Sequence, residues 1–323
     1  MPSSLITEAE IESARAAIDP VFLDSPCLRE TPLDAVLGCA LTLKVETLNP
    51  IRSFKGRGTE ALFAALKEKL KEKPRAVVAT STGNFGQGVA RAATRRGIAA
   101  TILAPDGANP LKLAAMERLG ATVCIVPPAE GDGKETAARL AAETGAVMIE
   151  DGAHREIAAG AGVIGLELTE AGIMPDVLVI QLGDGALAAG IGSWLRAQSP
   201  KTRIIGVVAT GAPAMMQSLA QGRVVETARV DTIADGMAIR APIAASVELL
   251  KHCIDEVVAI DDAAMLDAAR LLLRTTGILV EPSGAAGIAA IATHREKFAG
   301  RRVAGVLTGS NLSPEFQRQL LQA

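Results

Sequence analysis

AVVATSTGNFGQGVARAATRRGIAATILAP, residues 76–105, reads as a strand, a helix and a second strand. AVVAT (76–80) and AATILA (99–104) are short apolar runs, and Asn84–Arg96 between them has helical spacing. Two strands joined by a helix pair in parallel through a right-handed crossover. The pattern continues through a helix at Pro110–Leu119, a strand at ATVCIV (121–126), a helix at Lys134–Glu143 and a strand at AVMIE (146–150). Upstream, an amphipathic helix over about 7–18 precedes the strand LTLKVE (41–46) and a helical segment Ser53–Lys73 that runs out in KEKP. Downstream, a second alternating series carries the strands DVLVIQL (176–182), RIIGVVA (203–209), EVVAI (256–260) and VAGVLT (303–308). Apolar parallel strands want helices on both faces. The fold class is therefore α/β, with two parallel-sheet lobes and a cleft between them. Ligands in such folds bind at the carboxyl ends of the strands.

Composition narrows the function. The chain has 323 residues, of which 49% are hydrophobic and only 2% aromatic, with no tyrosine. A core of Ala, Leu, Val and Ile follows, and Tyr is excluded as an acid, a base or a stacking platform. The net charge is −3, without a basic stripe, so no nucleic-acid partner is expected. The opening MPSSLITEAEIESARAAIDP is polar and acidic, unlike a signal peptide, and no long uncharged apolar run suggests a membrane span. Cys27, Cys39, Cys124 and Cys253 are scattered like the reduced thiols of a cytoplasmic protein. His154, His252 and His294 share no ligand spacing, and no metal site is expected.

Five segments could carry chemistry. In NPIRSFKGRG (49–58), Lys55 reads either as a solvated lysine at a helix start or as an amine held in a poorly solvated pocket, ready to form a Schiff base. TSTGNFGQG (80–88) follows a strand and opens a helix, where free N–H groups suit an anion. LGDGALAAGIG (182–192) has the glycines that let a backbone close on a phosphate. It also fits the G-x-G-x-x-A fingerprint of an NAD-dependent oxidoreductase. That reading needs an acid at the end of the next strand, where Val208-Ala209-Thr210 stands instead. GILVEPSGAAG (277–287) and LTGSN (307–311) by themselves are ordinary element boundaries.

Together, in this order and over nearly the whole chain, these segments and TIADGMAIR (232–240) resemble the fold-type II pyridoxal-phosphate (PLP) enzymes, and among them the threonine/serine dehydratase group. The resemblance implies PLP in the cleft, a large PLP-binding domain of residues 1–73 and 152–323, and a small α/β domain of 74–151. Lys55 would be the Schiff-base lysine and proton shuttle, and Phe54 would pack on the cofactor ring. Asn84 would bond the ring hydroxyl. Gly183, Asp184, Gly185, Ala186 and Leu187 would cup the phosphate. Ser81, Thr82 and Gly83 would join Asn84 on the substrate carboxylate. Gly236 and Glu281 would line the cofactor, and Thr308 would face its pyridine nitrogen. The implied activity is β-elimination from a β-hydroxy amino acid, threonine or serine first, giving a 2-oxo acid and ammonia. A homo-oligomer, a dimer first, is implied as well.

The chain also departs from the pattern. Dehydratases usually carry Ala where Thr82 stands. Its hydroxyl could act as a second acid or base, which keeps threonine synthase-like or cysteine synthase-like replacement and racemisation open. Arg52 occupies a place that is often Gly, and Asp184 interrupts a loop that is commonly all glycine. The stretch ATGAPAMMQSL after the strand 203–209 lacks the acids with which some relatives bind a divalent ion. The chain stops at 323, without room for an appended regulatory domain. Arg52, and Arg240 at the end of a strand-like segment, are either ion-pair residues or ligands for a second substrate carboxylate, as in 3-hydroxyaspartate.

Overall fold

A computed structural model describes residues 5–70, 73–127 and 133–322. Among the described residues, ten strands form two sheets. They are β1 (Cys27–Leu28), β2 (Ala40–Val45), β3 (Ala76–Thr80), β4 (Ala99–Pro105), β5 (Thr122–Val126), β6 (Val147–Ile149), β7 (Val177–Gln181), β8 (Arg203–Ala209), β9 (Glu256–Ile260) and β10 (Arg302–Leu307). The larger sheet has the order β1-β2-β10-β7-β8-β9 and the smaller one β5-β4-β3-β6. Every pair is parallel except β1 with β2. The central strand β7 is buried along its whole length, as a strand covered on both faces must be.

Three helices pack in series: Lys55–Lys69, Arg155–Glu170 and Ala186–Gln198. The middle one packs on both others through glycines. A Cβ on Gly160 would lie 2.6 Å from the carbonyl oxygen of Arg57, and one on Gly190 only 2.0 Å from that of Ala158. Helix separation is set by the side chains at the contact, so these glycines bring the outer helices, and the residues at their N-termini, close together.

Two sequence expectations need correction. The helical segment begins at Lys55, not Ser53. Ser53 bridges to Gly309, and the Phe54 N–H donates to the Thr308 carbonyl at 3.1 Å, so both residues belong to the connection before the helix, Phe54 as its N-cap. Residues 71 and 72 of KEKP and 1–4 of the opening lie outside the described residues. The run after Ala234 is not a strand: a single 3-10 turn, Asp235–Met237, leads into irregular backbone through Arg240. Among the described residues, no helix is long and apolar enough to cross a membrane. The four cysteines are free thiols.

Candidate active site

A cavity of about 560 Å³ lies where the two sheets face each other at the carboxyl ends of their strands. Residues from all the singled-out segments line it: Phe54 and Lys55; Ser81, Thr82 and Asn84; Gly183 to Leu187; Gly236; Glu281; and Thr308. Gly83 is the exception. It is buried beneath Lys112, whose Cδ lies 2.2 Å from where a Cβ would stand.

Each segment is placed by its local chemistry. The Ser310 N–H donates to the Arg52 carbonyl at 2.9 Å, so the lysine segment is stitched to the end of β10 on both sides of Ser53. In the loop after β3, Ser81 Oγ accepts from the N–H groups of Gly83 (3.0 Å) and Gly86 (2.9 Å), which folds the turn that starts helix Asn84–Arg95. After β7, Gly185 takes φ +97°, a left-handed conformation that suits glycine, and caps helix Ala186–Gln198. A Cβ on Gly183 would meet the Gly236 carbonyl oxygen at 2.3 Å, so this loop and the 3-10 turn touch backbone to backbone.

The side-chain network contains residues with no sequence signal. Lys55 Nζ, 5.0 Å from the centre of the Phe54 ring, is ion-paired and hydrogen-bonded to Asp151 Oδ2. Burial alone would lower the lysine pKa. Asp151 first, then Asp184 and Glu281, outweigh it, so the amine titrates above its ordinary value and is a cation in the free protein. Asp184 is pushed the other way, up to about 7, by burial and then by Asp151, with Lys55 opposing. Glu281 accepts from Asn84 Nδ2 at 2.5 Å and lies 3.1 Å from Lys112 Nζ. Lys112 also pairs with Asp235 at 2.6 Å. Burial pulls the Lys112 pKa down, but these two acids raise it. Glu281 is raised by its own burial and by Asp235, since one ammonium serves two carboxylates. Asn311 Nδ2 donates to Asn84 Oδ1 at 2.9 Å and fixes that amide from the other side.

Asp151 and Lys112 lie outside the segments singled out in the sequence, while Asp235 and Asn311 lie within TIADGMAIR and LTGSN without being named there. Asp151 could have been found, because it stands just past a strand in the fold that binds ligands there. Lys112 could not: on its helix Pro110–Arg118 it looks like any solvated lysine. Arg52 faces elsewhere. It is exposed and lines a second cavity, with Pro50, Gln87 and Leu279. Arg240 does line the first cavity, but its guanidinium pairs with Glu226 at 3.2 Å, and both side chains are more than half exposed.

The family model described as pyridoxal-phosphate dependent enzyme matches residues 18–309. An L-threonine ammonia-lyase of Thermotoga maritima is 35% identical over 95% of this chain and 76% of its own length. A serine racemase of Oryza sativa subsp. indica is 31% identical over 87% of this chain and 82% of the relative. Among solved structures, a threonine deaminase from T.th. superposes with a TM-score of 0.86 at 32% identity, covering 94% of this chain and 98% of that one.

Proposed function

The chain belongs to the pyridoxal-phosphate dependent enzyme family, and from that premise we propose that it is an amino-acid ammonia-lyase in which Lys55 holds the cofactor. Membership makes it an enzyme with PLP as cofactor, which displaces the dinucleotide reading of LGDGALAAG.

The residues present suit the group. The cavity has the size of a small-molecule site. Its wall holds three buried polar atoms without a protein partner: Asp151 Oδ1, Gln181 Oε1 and Ser283 Oγ. Buried polar atoms want hydrogen bonds, and a polar ligand supplies them. The first turn of helix Ala186–Gln198 opens on the cavity through Ala186 and Leu187, with no side chain capping its N–H groups. A phosphate fits that end.

When bound, PLP supplies the electron sink that makes a substrate Cα–H acidic. The protein's own groups do the rest. Lys55 is both the covalent anchor and the base that takes the Cα proton. Asn84, clamped between Glu281 and Asn311, presents a fixed amide to the cofactor ring. Ser81, Thr82 and the start of helix Asn84–Arg95 receive the substrate carboxylate. Thr308 offers the ring a hydroxyl rather than a charge, which disfavours a long-lived carbanion and favours early loss of the β-substituent. Residues 1–73 with 152–323 act as the large domain and 74–151 as the small one.

The observation that carries the reading is the amine of Lys55 in one cavity with the Asn84 loop and the Gly183–Leu187 helix start. Release of 2-oxo acid and ammonia from threonine and serine by the PLP-loaded protein tests it, with borohydride reduction and peptide mapping to locate the modified lysine. Label on another lysine, or no release from any β-substituted amino acid, overturns it. Racemisation is the second reading, favoured by the serine racemase relative and by the exposed Thr82 hydroxyl in the cavity. Appearance of the D-enantiomer in the same assay separates the two.

A further inference from the structure

We propose that Asp184 binds the cofactor phosphate in its neutral form, its carboxyl O–H donating to a phosphate oxygen, so that loading of the cofactor takes up a proton from solution. The proposal rests on the reading that the start of helix Ala186–Gln198 receives the phosphate, and it gives that end a ligand that glycine cannot supply. The observation behind it is an unengaged acid inside the cavity, in the loop that cups the phosphate. Asp184 lines the cavity two residues before the helix begins. Among the described residues, no hydrogen bond or ion pair holds its carboxyl.

The charges facing Asp184 decide which form it takes beside a phosphate. The turn after β6 brings Glu150 and Asp151. It packs closely, since a Cβ on Gly152 would lie 3.0 Å from Asp184 Cβ. Helix Lys55–Lys69 brings Lys55, and helix Lys134–Thr144 brings Lys134. Helix Ala244–Cys253 brings the neutral Ser246, whose hydroxyl donates to the Gly152 carbonyl at 3.1 Å. The 3-10 turn that touches Gly183 carries Asp235, paired with Lys112 at 2.6 Å. Lys55 is paired with Asp151, and Lys134 with Glu150 at 2.7 Å. Among the described residues these charges pair off before Asp184 is counted, so an ionised Asp184 is one negative charge in excess. A phosphate monoester adds about two more above about pH 6. The helix start offers only about half a positive charge in return. One proton between carboxyl and phosphate removes that conflict and turns a repulsion into a short, charge-assisted hydrogen bond. Burial and then Asp151 already push Asp184 up to about 7 in the free protein, so near neutral pH the proton is partly in place. A bound phosphate raises Asp184 further, as any neighbouring negative charge does.

That proton sets the pH dependence. Below about 7, Asp184 carries it before the phosphate arrives. Above that value each pH unit should weaken phosphate binding by about tenfold, until the higher value reached in the complex is passed.

The test uses the full chain freed of cofactor and pyridoxine 5′-phosphate as the probe, which has the ring and the phosphate but no aldehyde to react with Lys55. Pyridoxine, without the phosphate, is the control. Calorimetry from about pH 6 to about pH 9 gives dissociation constants for wild type, Asp184→Asn and Asp184→Ala. Asp184→Asn keeps a donor but has no proton to gain or lose. Relative to it, wild type should lose about tenfold in affinity for the phosphate probe per pH unit above about 7. Heats in buffers of different ionisation enthalpy should show wild type taking up close to one proton per probe at about pH 8. At about pH 6 these two proteins should bind within about threefold of each other, and Asp184→Ala about tenfold more weakly for want of a donor. Pyridoxine should show none of these differences. A ratio of wild type to Asp184→Asn that stays constant with pH overturns the proposal. So does Asp184→Ala binding as tightly as wild type at about pH 6, because the acid then only repels the phosphate. The same pH-dependent difference with pyridoxine would set Asp184 against the ring and overturn it too. Should Asp184→Asn fail to fold, proton uptake by wild type decides, and none at about pH 8 overturns the proposal. No preference for pyridoxine 5′-phosphate over pyridoxine in any of the proteins sinks the phosphate placement itself, whereas that preference with a constant ratio sinks only the role of Asp184.

Discussion

Lys55 and Arg57 stand two residues apart on one helix and meet opposite worlds. Arg57 is wholly buried and satisfied. Its guanidinium donates to Glu46 Oε2 and Oε1 at 2.8 and 2.9 Å and to Glu167 Oε1 and Oε2 at 2.6 and 2.9 Å. Lys44 closes the group at 2.6 Å from Glu167, so two cations face two acids. Lys55 instead faces a cleft where one oxygen of its acid is unused and a second acid, Asp184, crowds in. A structural network is charge-balanced and saturated; a reactive one keeps unmet groups for a ligand. Residues two apart on a helix do not face each other, which is why seven consecutive letters, SFKGRGT, can serve both purposes.

That contrast can be broken by exchanging the effects. Lys55→Ala should lower turnover by about 10⁴-fold, since it removes the proposed base and anchor together. It should change unfolding free energy by only about 1 kcal/mol, because water can replace it beside Asp151 in the open cleft. Arg57→Met should do the opposite. It strands two buried glutamates and should destabilise by about 3–5 kcal/mol in urea unfolding. Equal stability losses in the two variants would erase the distinction.

The acids of the two regions should respond to pH in opposite senses. Burial pushes Glu167 up, but Arg57 and Lys44 bring it below its ordinary value. Its contribution is therefore present above the unfolded glutamate pKa of about 4.3 and lost as the pH falls through the lower folded value. Asp184 is raised to about 7 in the folded protein. The folded state then holds a proton that the unfolded state releases near about 3.9, so stability falls as the pH rises from there to the folded value. In Asp184→Asn apoprotein the decline across that window should shrink to the part owed to Glu281, which is raised as well, while the acid-side loss remains. Unfolding midpoints measured every half unit of pH would show it, and an unchanged decline would assign it to other groups.

The smallest effect concerns Arg52. Its φ is +51°, in the left-handed region, which is strained for a side chain with a Cβ. Arg52→Gly should relieve that strain, offset in part by the freer unfolded chain, for a net gain of under about 1 kcal/mol. Ligand selectivity should not move, because Arg52 lines the other cavity. A changed preference for acidic substrates would restore it as a specificity residue.

How much was legible beforehand follows from range. The alternation of apolar strands and helical spacing is a local pattern, so the α/β class and the parallel pairing could be read from neighbours in the chain. The loops at strand ends could be read too, because glycine and small polar residues there reflect backbone needs at their own positions. The short strand β1 and the helix Pro32–Leu37 escaped, since two- and six-residue elements carry too few periods. The segment ending at Arg240 looked like a strand from its apolar letters, but it has no strand beside it to bond with. A strand is a pairing, and pairing is not a local property.

Charge partnership is less local still. Lys55 and Asp151 are 96 positions apart, and Asn84 and Glu281 are 197 apart. Nothing near Lys112 marks it as a buried link between lobes, and nothing near Arg52 says that it faces away from Lys55. The amino-acid sequence alone determined the layered α/β fold and the segments that meet at the cleft. Only the tertiary structure decided which carboxylate faces the Lys55 amine, which charges were already neutralised and which oxygen was left over. Electrostatic energy depends on distance and burial in space, and the chain order records neither.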